Sequence, residues 1–589
     1  GYSNVPTNSR TLRDMYERDN LNLDVSWFPQ FAGTHRFKAG VQVDNIANDV
    51  FSGNQNYVVD VAWNGTCAQC STRGKYGSAG VYVFETSGEV TSENLGLFVQ
   101  DSWTTFNDRL TLNIGVRTEQ EKIPAYNNGT GIATTGDFAI KFDFQDKVAP
   151  RLGAAFDVFG NGRTKVFASY GTYYDIVKLE MPRGSFGGAK WLYWNFNLDD
   201  YDWTKWSGCT GVSNNRSVRP TCPGMTLQGA VDLRHASNTA EHPLVDPDLK
   251  PMENREISLG FQQDLTRNTA VGFRYVNKSL IRGIEDVGVL VVGADGIASE
   301  EFFIANPGEG VARKILSPNC PTCPAMPNAK RDYQGYEIEF TRRFAGHWSA
   351  HASYLYSQLK GNYSGLANSD EVTATAGTAR TAPNVNRIFD SLFMLYDQQG
   401  GVVEGPLGGD RPHSFKAQGA YAFNFGTTIG LSQYYYSGTP TTTEMRFQSA
   451  PIFPFGRNDM GRTPSITQTD LNLTHDFRFG RFNVQLGGIV LNLFDEKKAT
   501  NIYPIWSTTS ILLRQNGCVD TSTGACVIGG AAAGAARNNA QAAAFFAGFD
   551  AVAQRNRQVA LGLVPDPRYG QPNAYQDPRE IRIFAKLTF

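Results

Sequence analysis

The sequence predicts an all-β protein: a transmembrane antiparallel β-barrel with short periplasmic turns and long extracellular loops. Three observations point there. The composition, with 38 Phe, 25 Tyr and 60 Gly in 589 residues, suits strands better than helices. Apolar and polar residues alternate over long stretches. One unit recurs along the chain: a strand, a very short turn, a second strand, then a long polar segment.

The alternation is clear in 109–119. Leu110, Leu112, Ile114 and Val116 fall on one side, and Arg109, Thr111, Asn113, Gly115, Arg117 and Glu119 on the other. Successive side chains of a strand point to opposite faces, so one face is apolar and one wet. Val271, Phe273 and Tyr275 separate in the same way from Gly272 and Arg274, and Phe482, Val484 and Leu486 from Asn483 and Gln485. No run of about 18 apolar residues exists to form a transmembrane helix. The mean hydropathy is −0.34, but in membrane strands alternation averages hydropathy away.

Paired strands are expected at 16–28 with 33–46, 92–104 with 109–121, 148–158 with 163–175, and 253–265 with 268–280. Further pairs fall at 332–344 with 347–359, 411–424 with 426–438, and 466–478 with 481–493, and a last strand at about 579–589. Turns such as Phe106-Asn107-Asp108 and Phe159-Gly160-Asn161-Gly162 carry turn chemistry. The long segments, roughly 25 to 85 residues, are rare in compact soluble domains and usual in outer-membrane barrels. A soluble solenoid or multi-sandwich is the alternative, but sandwich strands are shorter. Fifteen strands is an odd number where bacterial barrels have even ones, and Gly1 is not an initiator Met. The expectation is that 1–589 is the C-terminal part of a barrel of about 22 strands, with any plug and N-terminal domain outside this chain.

In the last strand Ile581, Ile583, Ala585, Leu587 and Phe589 share one face, and Arg582, Lys586 and Thr588 the other. A terminal Phe on such a strand resembles the signal read by barrel-assembly machinery, which gives Phe589 an assembly role; an ordinary last strand is the alternative. Eight cysteines form four local couples, Cys67/Cys70, Cys209/Cys222, Cys320/Cys323 and Cys518/Cys526, all in long segments. Disulfides in an oxidising compartment are expected. Two CxxC couples also allow a zinc reading, but they lie far apart and have no His beside them.

The segment 191–206 reads as an external loop with an unusual aromatic content. Trp191, Tyr193, Trp194, Trp203 and Trp206 are candidate contacts for a sugar, peptide or partner protein; a hydrophobic cluster capping the barrel mouth is the plainer reading. Asp199, Asp200 and Asp202 offer oxygen ligands for calcium, or are solvated loop charges. Arg117, Glu119, Arg274, Glu337, Glu339 and Lys416 are expected to face the lumen. The second half of the Ala-rich 530–556 reads as a short helix or a flexible loop. A net charge of −2 without a basic stripe argues against nucleic acid. No GxSxG or HExxH motif is present, so neither an enzyme nor a cofactor is expected.

Several strands resemble the C-terminal barrel of TonB-dependent receptors, especially the Oar-like group. The resemblance rests on Leu97-Phe98-Val99-Gln100-Asp101-Ser102-Trp103 with Arg109–Arg117, on Ala149–Gly153 with Lys165–Asp175, and on Asp470–Leu473 with Asn492–Asp495. It implies a 22-stranded type of barrel in the Gram-negative outer membrane, a plug domain, coupling through TonB and uptake of a bulky extracellular substrate. A surface adhesion or structural protein and a passive porin are the alternatives.

Overall fold

The computed structural model describes residues 9–54, 56–65, 72–124, 138–179, 181, 183, 189–213, 215, 217–232, 245–292, 298–313, 324–365, 388–389, 392–447, 450–511, 550–560 and 564–589. All fifteen expected strands form a wall. They are β1 (Ser9–Trp27), β2 (Thr34–Asn54), β3 (Gly77–Thr105), β4 (Leu110–Ile123), β5 (Ala149–Asp157), β6 (Thr164–Tyr174), β7 (Glu253–Thr266) and β8 (Thr269–Arg282). β9 (Arg331–Ala345), β10 (Trp348–Gly361), β11 (His413–Ala422), β12 (Thr427–Tyr436), β13 (Ile466–Phe479), β14 (Phe482–Leu491) and β15 (Glu580–Thr588) complete it. Each strand pairs antiparallel with the next. Among the described residues no pairing joins β1 to β15, so the wall is open along those edges.

One face is apolar across the wall. Phe261, Phe273, Ile338, Tyr354, Phe415 and Tyr435 stand in register from β7 to β12. These side chains are bare: Ile114 is 52% exposed, Leu259 47% and Ile338 58%. A continuous bare apolar face of this size requires lipid against it. The opposite face is wet. Directly opposed residues pair there, Arg274 with Glu337 at 2.7 Å and Lys278 with Glu256 at 2.7 Å. Arg117 donates to Glu119 and Gln42.

Three phenylalanines on the wet face each sit opposite a glycine: Phe98 with Gly40, Phe167 with Gly260, and Phe584 with Gly487. The ring occupies the space a β-carbon would need, at 2.6, 2.1 and 2.2 Å respectively. Laid flat, the ring covers bare glycine backbone and keeps its apolar surface out of the water.

Two aromatic rows mark the limits of the lipid band. Exposed Phe31, Phe106, Phe159, Phe344, Phe425 and Phe479 stand at six of the seven short turns, and Leu265 at the remaining one. Phe106, Asn107 and Asp108 all have positive φ, which folds that turn tightly. Higher up, Tyr275, Tyr336, Tyr356 and His413 follow one another across β8 to β11, with centroids 4.9, 6.3 and 5.4 Å apart. From Phe344 to Tyr336, at ~3.3 Å per residue and a tilt of ~40°, the rise is about 20 Å, near the height of a barrel's apolar band.

Among the described residues the long segments carry strands that the sequence reading did not foresee. They add strands such as Val58–Trp63, Ala189–Leu198, Met225–Asp232, Glu285–Val292 and Ala298–Ala305. β3 starts at Gly77 rather than near residue 92 because its upper part pairs with Val58–Trp63 and Ala189–Leu198. The helix expected near 530–556 is found at Ala551–Ala560; residues 512–549 lie outside the described residues.

Two outcomes test this arrangement. Ile338→Arg, between the two rows, is expected to cost ~2–4 kcal/mol, and Leu265→Arg, at the turn row, only about 0–1 kcal/mol, measured by refolding into lipid vesicles. Gly260→Val is expected to cost about 1–3 kcal/mol by displacing Phe167. Most of that loss should vanish in a Phe167→Ala background, since the two sites share one contact.

Candidate functional site

Above the lipid band the long segments pack into a layer with its own cores. One core joins Val287, Phe303, Tyr363, Phe389, Tyr396, Met445, Phe453 and Trp506, drawn from four long segments. A second joins the tops of β2, β3 and β4, through Val50, Val90 and Ile123, to Phe142, Val177, Met181 and Ile304. Each buried side chain of this size contributes roughly 1.5–3 kcal/mol.

The aromatic segment belongs to a third core, which corrects its reading as a loop. Ala189–Leu198 is a strand between the upper part of β3 and Met225–Asp232. Leu192, Trp194, Phe196 and Leu198 face inward with Ala79, Val81, Cys222 and Ala230. Trp194 is 0% exposed, and the Arg219 guanidinium lies 5.3 Å from its ring. Trp191 and Tyr193 occupy the other face; Tyr193 stacks on Tyr82 at 5.2 Å, and Trp191 meets Phe84 edge-on at 5.3 Å. Burial, followed by the nearby Asp60 and Tyr82, pushes the Tyr193 hydroxyl up to about 12. Trp206 is half-buried and tilts against Trp63. Trp203 alone of the five is well exposed, at 72%. A signal for the strand was present in the sequence: Leu192, Trp194, Phe196 and Leu198 alternate with Trp191, Tyr193, Asn195 and Asn197.

The acidic trio binds its own neighbourhood. Thr226 donates to Asp199 at 2.8 Å and Lys205 to Asp200 at 2.6 Å. Asp202 caps the 3-10 helix Trp203–Gly208 by accepting from the Thr204 backbone N–H. The Lys205 hydrogen bond, with backbone donation from Asp202, holds the Asp200 carboxyl below its usual value.

Of the four expected cysteine couples, one is in view. A disulfide joins Cys209 to Cys222 beside a two-way backbone bridge between Thr210 and Thr221. Cys67 and Cys70, Cys320 and Cys323, and Cys518 and Cys526 all lie outside the described residues, and the three links expected between them fall there too. Phe589 is exposed at the end of β15. Of the expected lumen charges, Lys416 stands in register with Ser353 and Tyr434, and Glu339 lies 3.5 Å from His351.

Sequence reasoning missed one buried ion pair at the mouth. Lys147 donates to Glu121 at 2.5 Å, with both side chains at 0% exposure. Glu121 also accepts from the Val177 backbone N–H at 2.9 Å, and Lys147 reaches the Asp175 carbonyl. The pair thus ties the tops of β4 and β5 to the segment leaving β6. Burial pushes the Glu121 carboxyl up, and Lys147 pulls it back. Sequence offered no signal, because Glu121 and Lys147 look like two more ends of wet strands.

Comparison with known proteins follows the same outline. Residues 6–438 match the family described as outer membrane beta barrel domain. The chain is 29% identical over 506 residues to the TonB-dependent transporter Oar of Myxococcus xanthus, covering 81% of this chain and 44% of that protein. It therefore spans less than half the length of that relative. Among solved structures it is similar to the outer membrane transporter YddB of Escherichia coli, at 13% identity and TM-score 0.48 over 84% of this chain and 52% of that one. It is also similar to the siderophore receptor PiuA of Acinetobacter baumannii, at 12% identity and TM-score 0.43 over 83% and 54%.

Peptide mapping without reductant is expected to yield a linked Cys209–Cys222 fragment and three further local links, Cys67–Cys70, Cys320–Cys323 and Cys518–Cys526. Free thiols at all eight positions would defeat the extracellular placement of the long segments. Lys147→Met is expected to cost ~3–5 kcal/mol at neutral pH by stranding a buried carboxylate. With its folded-state value raised, that carboxyl loses more stability as pH climbs above its unfolded value of about 4.3, and the deficit shrinks below it. Glu121→Gln in the same chain should remove both the deficit and its pH dependence, as read by thermal unfolding.

Proposed function

Because this chain belongs to the family of outer membrane β-barrel domains, we propose that it forms the larger part of the wall of a TonB-dependent uptake receptor for a bulky extracellular substrate. The chain is an outer-membrane protein. The reading is supported above all by the 29% identity with a TonB-dependent transporter over 81% of the chain, together with a wet inner face of opposed charges suited to a filled lumen.

The open edges of β1 and β15 add a second support. In hydrocarbon no water is available for unpaired backbone groups, so a spanning sheet has to close on itself. Seven further strands would bring fifteen to the 22 of the larger outer-membrane transporters. A plug domain filling the lumen and a segment that engages TonB would come from sequence beyond this chain. The assembly machinery would recognise β15 through Phe589. The long segments would receive the substrate, with Trp203 a contact on the exposed aromatic side. The chain holds and passes a ligand and carries out no covalent chemistry.

The test is uptake by cells expressing the complete gene product, with and without TonB. Uptake that requires TonB supports the receptor reading. Uptake that persists without TonB would make the protein a passive porin. Surface attachment with no uptake in either strain would make it an adhesion protein.

A further inference from the structure

A cavity of about 210 Å³ lies on the inner side of the wall, where the tops of β6, β7 and β9 meet the segments that leave β6 and β10. Its apolar lining includes Val177, Met181 and Ile284, all at most 6% exposed, and the half-buried Met252. Its rim is charged, carrying Asp175, Lys178 and Arg331. A cavity of about 150 Å³ lined by apolar side chains accepts benzene, so this one holds a ring or a short hydrocarbon chain with room for a stem.

Two further observations make it a built site. The floor is fixed, because the backbone at Asp175 and Val177 is held by the buried Lys147–Glu121 pair. Among the described residues neither the Lys178 nor the Arg331 side chain forms an ion pair or hydrogen bond, whereas Arg274, Lys278 and Lys147 each have a carboxylate. Gly365 leaves space beside the Arg331 guanidinium, which would lie 3.6 Å from a β-carbon at that position.

We propose that this cavity binds an apolar group carrying a single carboxylate, with the hydrocarbon on Met181, Met252 and Ile284 and the carboxylate on Arg331 and Lys178. Arg presents a planar fork that matches a carboxylate. Among the described lining residues two cations stand against one carboxylate, Asp175, an excess that suits a monoanion better than a doubly charged phosphate. The chemistry fits either the C-terminal residue of a peptide or a short fatty acid. The proposal names a substrate chemistry for the uptake reading and rests on that reading only for what happens after binding.

The experiment uses the full-length protein in detergent, with 4-phenylbutyrate and the neutral 4-phenylbutan-1-ol as probes, read by saturation-transfer NMR and calorimetric titration. The carboxylate should bind at least tenfold more tightly than the alcohol. Arg331→Gln with Lys178→Gln should abolish that preference while heat-shifted gel mobility stays unchanged, and Arg331→Lys should retain most of it. Met252→Trp should weaken both probes by filling the cavity. Equal affinities in the unaltered protein, or a preference surviving the double substitution, would overturn the proposal. Competition by a peptide ending in Phe or by octanoate distinguishes the two sources, and displacement by neither overturns the carboxylate assignment. No energy coupling is needed for binding, so a chain that binds the probe without supporting uptake fails only the receptor reading.

Discussion

The wall is governed by one constraint: inside hydrocarbon, each backbone N–H and C=O must find its partner in a neighbouring strand. The pairing pattern shows how strictly this holds. Between adjacent wall strands the register shifts only at Thr11/Arg13, Glu253/Asn254, Asp264/Thr266 and Arg342/Ala345. All four lie at strand ends, above the tyrosine row or at a short turn. Through the band the ladders run without a bulge, because an extra residue there would leave amide groups with neither water nor partner. Alternation then follows, since a fixed register fixes which side chains meet lipid.

A wall with lipid on one side and water on the other has no dry interior of its own. The apolar face of a soluble sheet would be its core; here that face is solvated by lipid. The buried residues are found instead in the layer above the band, where Trp194, Phe389, Phe453 and Tyr503 have almost no exposure. The protein is thus held together in two ways: by hydrogen-bonded ladders in the membrane and by hydrophobic burial outside it. The Lys147–Glu121 pair sits where the two meet, joining the tops of wall strands to the layer.

This division explains what the sequence revealed. Leu110, Leu112, Ile114 and Val116 announce their strand because membrane strands are paired with sequence neighbours and patterned by a two-sided environment. All fifteen wall strands were legible on that basis, with boundaries short only where the strand outruns the band. The layer follows other rules. The upper part of β3 pairs with Ala189–Leu198, about a hundred residues away, and nothing near Gly77 signals that partner. The aromatic segment was noticed for its composition, which left a ligand contact and a hydrophobic cluster both open: of Trp191, Tyr193, Trp194, Trp203 and Trp206, burial in the third core decides which can meet a ligand, and composition does not report burial. Glu121 and Lys147 were invisible for the same reason, since a buried ion pair and two solvated charges have the same letters.

The distribution of charge along the inner face separates what is fixed from what can adjust. Ion pairs in contact with water, such as Arg274 with Glu337, are worth ~0–1 kcal/mol, so their members exchange readily for other polar contacts. The Lys147–Glu121 pair is sealed from water, and losing one partner there strands a charge at a cost several times larger. The wet face below is therefore adaptable, while the mouth at the top of β4 to β6 is held rigid. The weak and replaceable pairs thus line the wet face, and the sealed pair stands where the wall meets the layer above it.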